Sequence, residues 1–223
     1  MKSCIILGDR SDIARELAKC LQADGWQVEG WHRGQKLPQE RWDFLLCAIG
    51  RIAPVGPWYA SDSGERWMNA DANLLEPIRL LAHLWNHRNP GAYVCMMAGS
   101  NPQKIMDGYL PYNMSKMALL KAVEQIDHEA QDTTVFALGP GVTDTKIHNA
   151  TREAGWPNPR LERASKDGSF TPMTKIYSCL TWCLSQPKEV IGGRNICVSD
   201  PTGPGLSVRL KNNPDLFKLR RVE

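Results

Sequence analysis

Tyr112 and Lys116 stand four residues apart at the head of a segment whose apolar residues recur at helical spacing to about residue 130, so both side chains fall on one helical face. The pairing has a chemical use. A phenol with a pKa of about 10 exchanges protons poorly at neutral pH, and a neighbouring ammonium favours the phenolate and pulls that value down. A second feature lies near the start of the chain. There an apolar run over residues 2–7 breaks at Gly8, and Arg10, Ser11, Asp12 and Ile13 lead into a helical pattern. A strand turning sharply into a helix presents unpaired amides and the positive end of the helix dipole, which together attract a pyrophosphate.

Bringing residue 8 next to residue 112 takes a scaffold, and the rest of the sequence describes one. Strands are expected at residues 2–7, 26–31, 42–49, 92–97, 133–138 and 195–198. Helices are expected at 13–21, 65–88 with a bend at Pro77, 114–130 and 173–184. Residues 145–172 turn polar and proline-rich and read as a long loop or mobile insert with room for one short helix; residues 146–172 would form a lid over the substrate. A glycine- and proline-rich tail follows the last strand. Such alternation predicts one α/β domain over residues 1–223, a doubly wound parallel sheet flanked by helices.

The motifs come in an order that resembles the short-chain dehydrogenase/reductase family along nearly the whole chain. Residues 112–116 match its YxxxK motif, and residues 8–14 resemble its TGxxxGxG turn with Gly8 kept and Asp12 and Ala14 at the later glycine positions. Ala48 and Gly50 remain of NNAG, Asn73 stands at the family's helix asparagine, and Pro140, Gly141, Val142, Thr143 and Thr145 cover PGxxxT. The resemblance implies a Rossmann-type fold and an oxidoreductase moving a hydride between NADP(H) and a carbonyl, alcohol or pterin-like small molecule. It makes Tyr112 the general acid or base. Lys116 lowers its pKa and holds the nicotinamide ribose, Ser100 orients the carbonyl, and Asn73 supports a proton relay. Gly8, Arg10, Ser11, Asp12, Ile13, Arg33, Ala48, Gly50 and the residues of the PGxxxT stretch become cofactor contacts, together with Tyr112 and Lys116. Family members commonly pair through their long helices, so a homodimer or homotetramer is expected.

Four departures matter. Asp12 puts a negative charge where phosphates would lie, which is unfavourable unless the carboxylate turns away to cap the helix. Between Gly25 and Gly50 there is no room for a further strand and helix, so the family's third strand should be missing or vestigial, and its adenine contact with it. Counting back from Tyr112 favours Ser100 for the catalytic serine, whereas aligning the preceding strand puts Ala98 or Gly99 there. Arg33 falls where a basic residue recognises a 2′-phosphate, with Arg10 able to assist, which favours NADP while NAD stays possible. The eroded glycine turn keeps an alternative open, a non-catalytic dinucleotide-binding sensor or regulatory protein.

Composition sets outer bounds. A net charge of +3 without a basic run argues against nucleic acid, and no apolar stretch reaches the roughly 18 residues of a membrane span. A cytoplasmic location is expected. The seven cysteines stand singly, with no CxxC and no neighbouring histidines, and are expected to be reduced thiols with no metal. Met106, Tyr109 and Trp156 are candidates to line an apolar pocket.

Overall fold

The apolar runs become strands because they are buried on both faces, which only a sheet covered by helices on each side provides. The computed structural model describes residues 1–60, 63–99 and 103–220. Within them β1 (Ser3–Leu7), β2 (Gln27–Trp31), β3 (Trp42–Cys47), β4 (Arg88–Met97), β5 (Thr134–Gly139) and β6 (Asn195–Cys197) form one parallel sheet in the order β2-β1-β3-β4-β5-β6. The chain leaves β1 in one direction and returns at β3 to build in the other. A crevice therefore opens between the carboxyl ends of β1 and β3, where such sheets hold ligands. As the short interval predicts, residues 32–41 form no further strand and β2 is the sheet edge.

The helices are α1 (Asp12–Ala23), α2 (Ser63–Ala70), α3 (Glu76–Leu84), α4 (Leu110–Glu129), α5 (Asn149–Glu153), α6 (Pro159–Asp167), α7 (Met173–Leu184), α8 (Lys188–Ile191) and α9 (Pro204–Asn212). Successive strand residues point to opposite faces. Cys4 and Ile6 join Leu17 and Leu21 of α1 and Ile176 and Leu180 of α7 in one core, while Ile5 and Leu7 join Leu81 of α3 and Leu119 and Val123 of α4 in the other. No helix among the described residues is long and apolar enough to cross a membrane.

Several expectations are corrected. Residues 65–87 are helical without a break, but the run changes its hydrogen-bond pattern ahead of Pro77. A π-helical turn (Asp71–Leu75) separates α2 from α3, and Pro77 lies in the first turn of α3, where its missing N–H costs nothing. The stretch 146–172 is mostly helical, with a 3-10 turn (Lys146–His148) followed by α5 and α6. Asn158 caps α6 by accepting from Leu161 N, and Pro159 occupies its first turn, so the polar and proline residues that suggested a loop are helix-start signals. The tail holds α9 for the same reason: Pro204 opens it, and Leu206 and Leu210, one turn apart, bury its inner face. Finally, α4 begins at Leu110, which puts Tyr112 inside its first turn.

Candidate functional site

At the crevice Gly8 adopts φ +83°, and a Cβ there would stand 3.0 Å from the Ile49 nitrogen. Only glycine lets the β1–α1 turn approach the end of β3 this closely. Ser11 caps α1, its Oγ accepting from Ala14 N at 3.1 Å. Asp12 therefore does not serve as the cap. Among the described residues the amides of Asp12 and Ile13 carry no hydrogen bond, and they are the donors a phosphate would meet.

A cavity of about 240 Å³ runs from this turn across the strand ends. Residues 11–13, 48–50, 97–99 and 140–143 line it, with Tyr112, Lys116 and Thr145. The structure thus places around one cavity most of the residues that the sequence motifs single out. Lys116 is buried, and its Nζ donates to the Met97 carbonyl at 2.9 Å, tying α4 to the end of β4. Burial pushes the Tyr112 phenol up to about 12 and the Lys116 ammonium down to about 8. The expected drop in the phenol is not what this geometry produces. Loss of hydration disfavours both charged forms, and that cost decides the direction for each.

The lysine shift has a measurable consequence. Between about pH 8 and pH 10 the unfolded chain keeps a proton on residue 116 that the folded protein has released, so wild-type stability rises with pH in that window. Above about pH 10 Tyr112 acts oppositely, because the folded phenol keeps a proton that the unfolded one loses. In Lys116→Met the rise disappears. From pH 7 to pH 10 the stability difference, read by urea unfolding, should move towards the wild type by on the order of 2 kcal/mol. A difference that does not change with pH refutes the assignment.

Beneath Gly50 two asparagines hold the loop after β3. Asn73 Oδ1 accepts from Arg51 N at 2.7 Å and its Nδ2 donates to Arg51 O at 2.8 Å, while Asn69 Nδ2 donates to Ile52 O at 3.3 Å. Both ends of the Asn73 side chain are thus spent on backbone, so it acts as a clamp. A Cβ at Gly50 would lie 3.8 Å from Asn73 Oδ1 and 4.0 Å from Lys116 Nζ, which shows how closely these groups gather. Asn69 was not singled out from the sequence, although its four-residue spacing from Asn73 puts it on the same face.

The segment 146–172 is anchored at both ends and in the middle. Lys146 N donates to Asp12 Oδ2 at 2.8 Å, and Thr171 N donates to Val142 O at 2.7 Å. Between these, Tyr109 OH pairs with Thr151 Oγ1 at 2.8 Å and accepts from Asn158 Nδ2 at 3.1 Å. Tyr109 is accordingly buried support and does not line the cavity, whereas Met106 does. Trp156 lines a second, more open groove beside it and donates from Nε1 to Asp107 O at 2.6 Å. His148 and Arg160 also line the main cavity. Burial, helped by Arg152, lowers the His148 pKa and favours the neutral imidazole.

Other sequence candidates lie elsewhere. Arg33 is exposed and pairs with Glu76 of α3 at 2.6 Å, and Arg10 is exposed at the tip of the first turn. Neither lines the cavity. Ser100 lies outside the described residues, while Ala98 and Gly99 line the cavity wall. All seven cysteines are free thiols, and no cluster of metal-ligating side chains occurs among the described residues.

No family model and no curated protein sequence matches the chain significantly. Solved structures do. A short-chain dehydrogenase/reductase from Saccharomyces cerevisiae superposes with a TM-score of 0.77 at 14% identity, covering 98% of this chain and 100% of its own. The fold is that of the short-chain dehydrogenases/reductases. A small-chain dehydrogenase in complex with NADPH gives a TM-score of 0.75 at 18% identity, covering 88% of this chain and 95% of its own. A 4-hydroxyisoleucine dehydrogenase complexed with NADH gives 0.70 at 17%, covering 88% and 96%. The short-chain dehydrogenase fold is kept here with its third strand absent from the described residues and its glycine turn reduced to Gly8.

Proposed function

We propose that the chain is an oxidoreductase that reduces the carbonyl of a small molecule with NADPH. One observation carries this reading. Tyr112 and Lys116, a helical turn apart on α4, line the same cavity as the open α1 amides and residues 140–143. The residues present suit a dinucleotide: the turn at Gly8 lets backbone approach closely, and unpaired donors at a helix N-terminus suit its pyrophosphate. Its NADPH-bound and NADH-bound structural neighbours support the same cofactor class.

A bound nicotinamide dinucleotide would supply the hydride, with both electrons, to the carbonyl carbon. The protein's part is the proton and the positions. Tyr112 is assigned the proton that passes to the carbonyl oxygen, and burial keeps its phenol protonated at neutral pH. Lys116 Nζ, beside Gly50, would hold the nicotinamide ribose. Asn73 is a positioning residue that fixes the loop after β3, and Ser100 is assigned the carbonyl from its sequence position.

Purified protein should quench or enhance NADPH fluorescence and then consume NADPH when aldehydes, ketones and pterins are added in turn. Binding without consumption across the whole panel would favour the sensor reading. Selectivity for the 2′-phosphate is assigned to Arg33 and Arg10. In Arg10→Ala combined with Arg33→Ala, the Kd for NADPH should rise about tenfold while that for NADH stays put. Equal changes for both cofactors would remove the NADP preference.

A further inference from the structure

We propose that Lys146 is a cofactor-phosphate-binding residue of this chain, and that Asp12, standing where the dinucleotide turn resembles one with glycine, is its counter-ion at rest. This rests on the dinucleotide reading above. Asp12 puts a carboxylate at the positive end of α1, the place a pyrophosphate needs. Left alone, that carboxylate would hold the helix end and repel the phosphates.

The structure shows what offsets it. Lys146, the first residue of the lid, donates its backbone N–H to Asp12 Oδ2 at 2.8 Å, and its ammonium lies 3.7 Å from Asp12 Oδ1 and 2.6 Å from the Arg10 carbonyl oxygen. Asp12 is not needed as the helix cap, because Ser11 Oγ takes that role. Asp12 and Lys146 both line the main cavity beside Ser11 and Ile13, so the ammonium stands at the mouth of the phosphate turn.

Two features make the ammonium transferable. The Lys146 side chain is 55% exposed, and its contact with Asp12 at 3.7 Å is a loose, solvated ion pair, which contributes little. A flexible four-carbon stem can then turn the ammonium from the Arg10 carbonyl to a phosphate oxygen. The lid backbone keeps hold of the carboxylate meanwhile. No bond is made or broken, and the charge of one lysine cancels the charge that replaced the glycine.

The pairing predicts a coupling that neither residue would show alone. NADPH affinity is read by fluorescence, and ADP-ribose affinity by calorimetry, for the full chain and for Lys146→Met, Asp12→Ala and the double variant. ADP-ribose keeps the pyrophosphate and lacks the nicotinamide, so its binding is independent of turnover. Lys146→Met should weaken both ligands about tenfold, Asp12→Ala should tighten both about threefold, and the double variant should match wild type, so that losing Lys146 costs about tenfold with Asp12 present and only about threefold without it. Circular dichroism confirms that each variant is folded. Unchanged affinity in Lys146→Met, or the same loss with Asp12 present and absent, overturns the proposal while leaving the dinucleotide reading intact. A wild-type protein that binds neither NADPH, NADH nor ADP-ribose overturns both.

Discussion

Replacing Tyr112 with phenylalanine should lower NADPH-dependent turnover by about 10³-fold and leave the Kd for NADPH within about threefold of wild type. The substitution removes one oxygen from a side chain in the first turn of α4 and keeps the ring that packs there. The missing oxygen is the proton donor of the proposed reaction. The neighbouring Lys116 ammonium is engaged with the Met97 carbonyl. Measuring binding and turnover on the same preparation separates a lost acid from a lost fold. Turnover within a few-fold of wild type would remove Tyr112 from the chemistry. Loss of NADPH binding along with turnover would assign it to the cofactor site instead.

Arg194→Ala should cost about 3 kcal/mol of folding stability. Arg194 is only 2% exposed, and its guanidinium donates to three carbonyls, those of Leu210 at 2.8 Å, Asn213 at 3.2 Å and Leu216 at 3.3 Å. Leu210 lies in the last turn of α9, where a cation also meets the negative end of the helix dipole. Alanine leaves these acceptors unmatched beneath the segment that closes over β6, and the segment loses the tie that docks it. Lysine should recover only part of the loss, because one ammonium lacks the planar fork that reaches three separate oxygens. Urea unfolding measures the change, and limited proteolysis should show earlier cleavage near residues 203–220. A loss below about 0.5 kcal/mol would mean that the tail is held by its apolar contacts alone.

Much of the scaffold was readable in advance. The six strands and the alternating helices follow from apolar runs a few residues long, and the run from Met173 to Leu184 forms the helix its spacing predicts, with the same ends. The absent third strand was likewise legible, because a span of two dozen residues cannot hold another strand, helix and their turns. Where reading failed, the signal was local but ambiguous. Pro159 and Pro204 look like loop residues until it is seen that each opens a helix with a buried side, through Leu161 and Ala164 or Leu206 and Leu210. The π-helical turn at Asn73 left no mark in the periodicity, and the two hydrogen bonds its side chain makes reach Arg51, 22 residues away.

The candidate site divides along the same line. Residue types at short spacing named Tyr112, Lys116 and the turn at Gly8, because turn chemistry and helical phase are set by near neighbours, whereas the stretch from Pro140 to Thr145 was named by the family resemblance. Charge partnership is different. Ser11 took the cap of α1, whereas the cation that Asp12 meets is Lys146, 134 positions later, and Arg33 was drawn to Glu76 across 43 positions. The direction of the Tyr112 and Lys116 shifts was also decided only on folding. Burial is a property of the assembled core, and its cost on a charge outweighed the attraction that their spacing alone suggested.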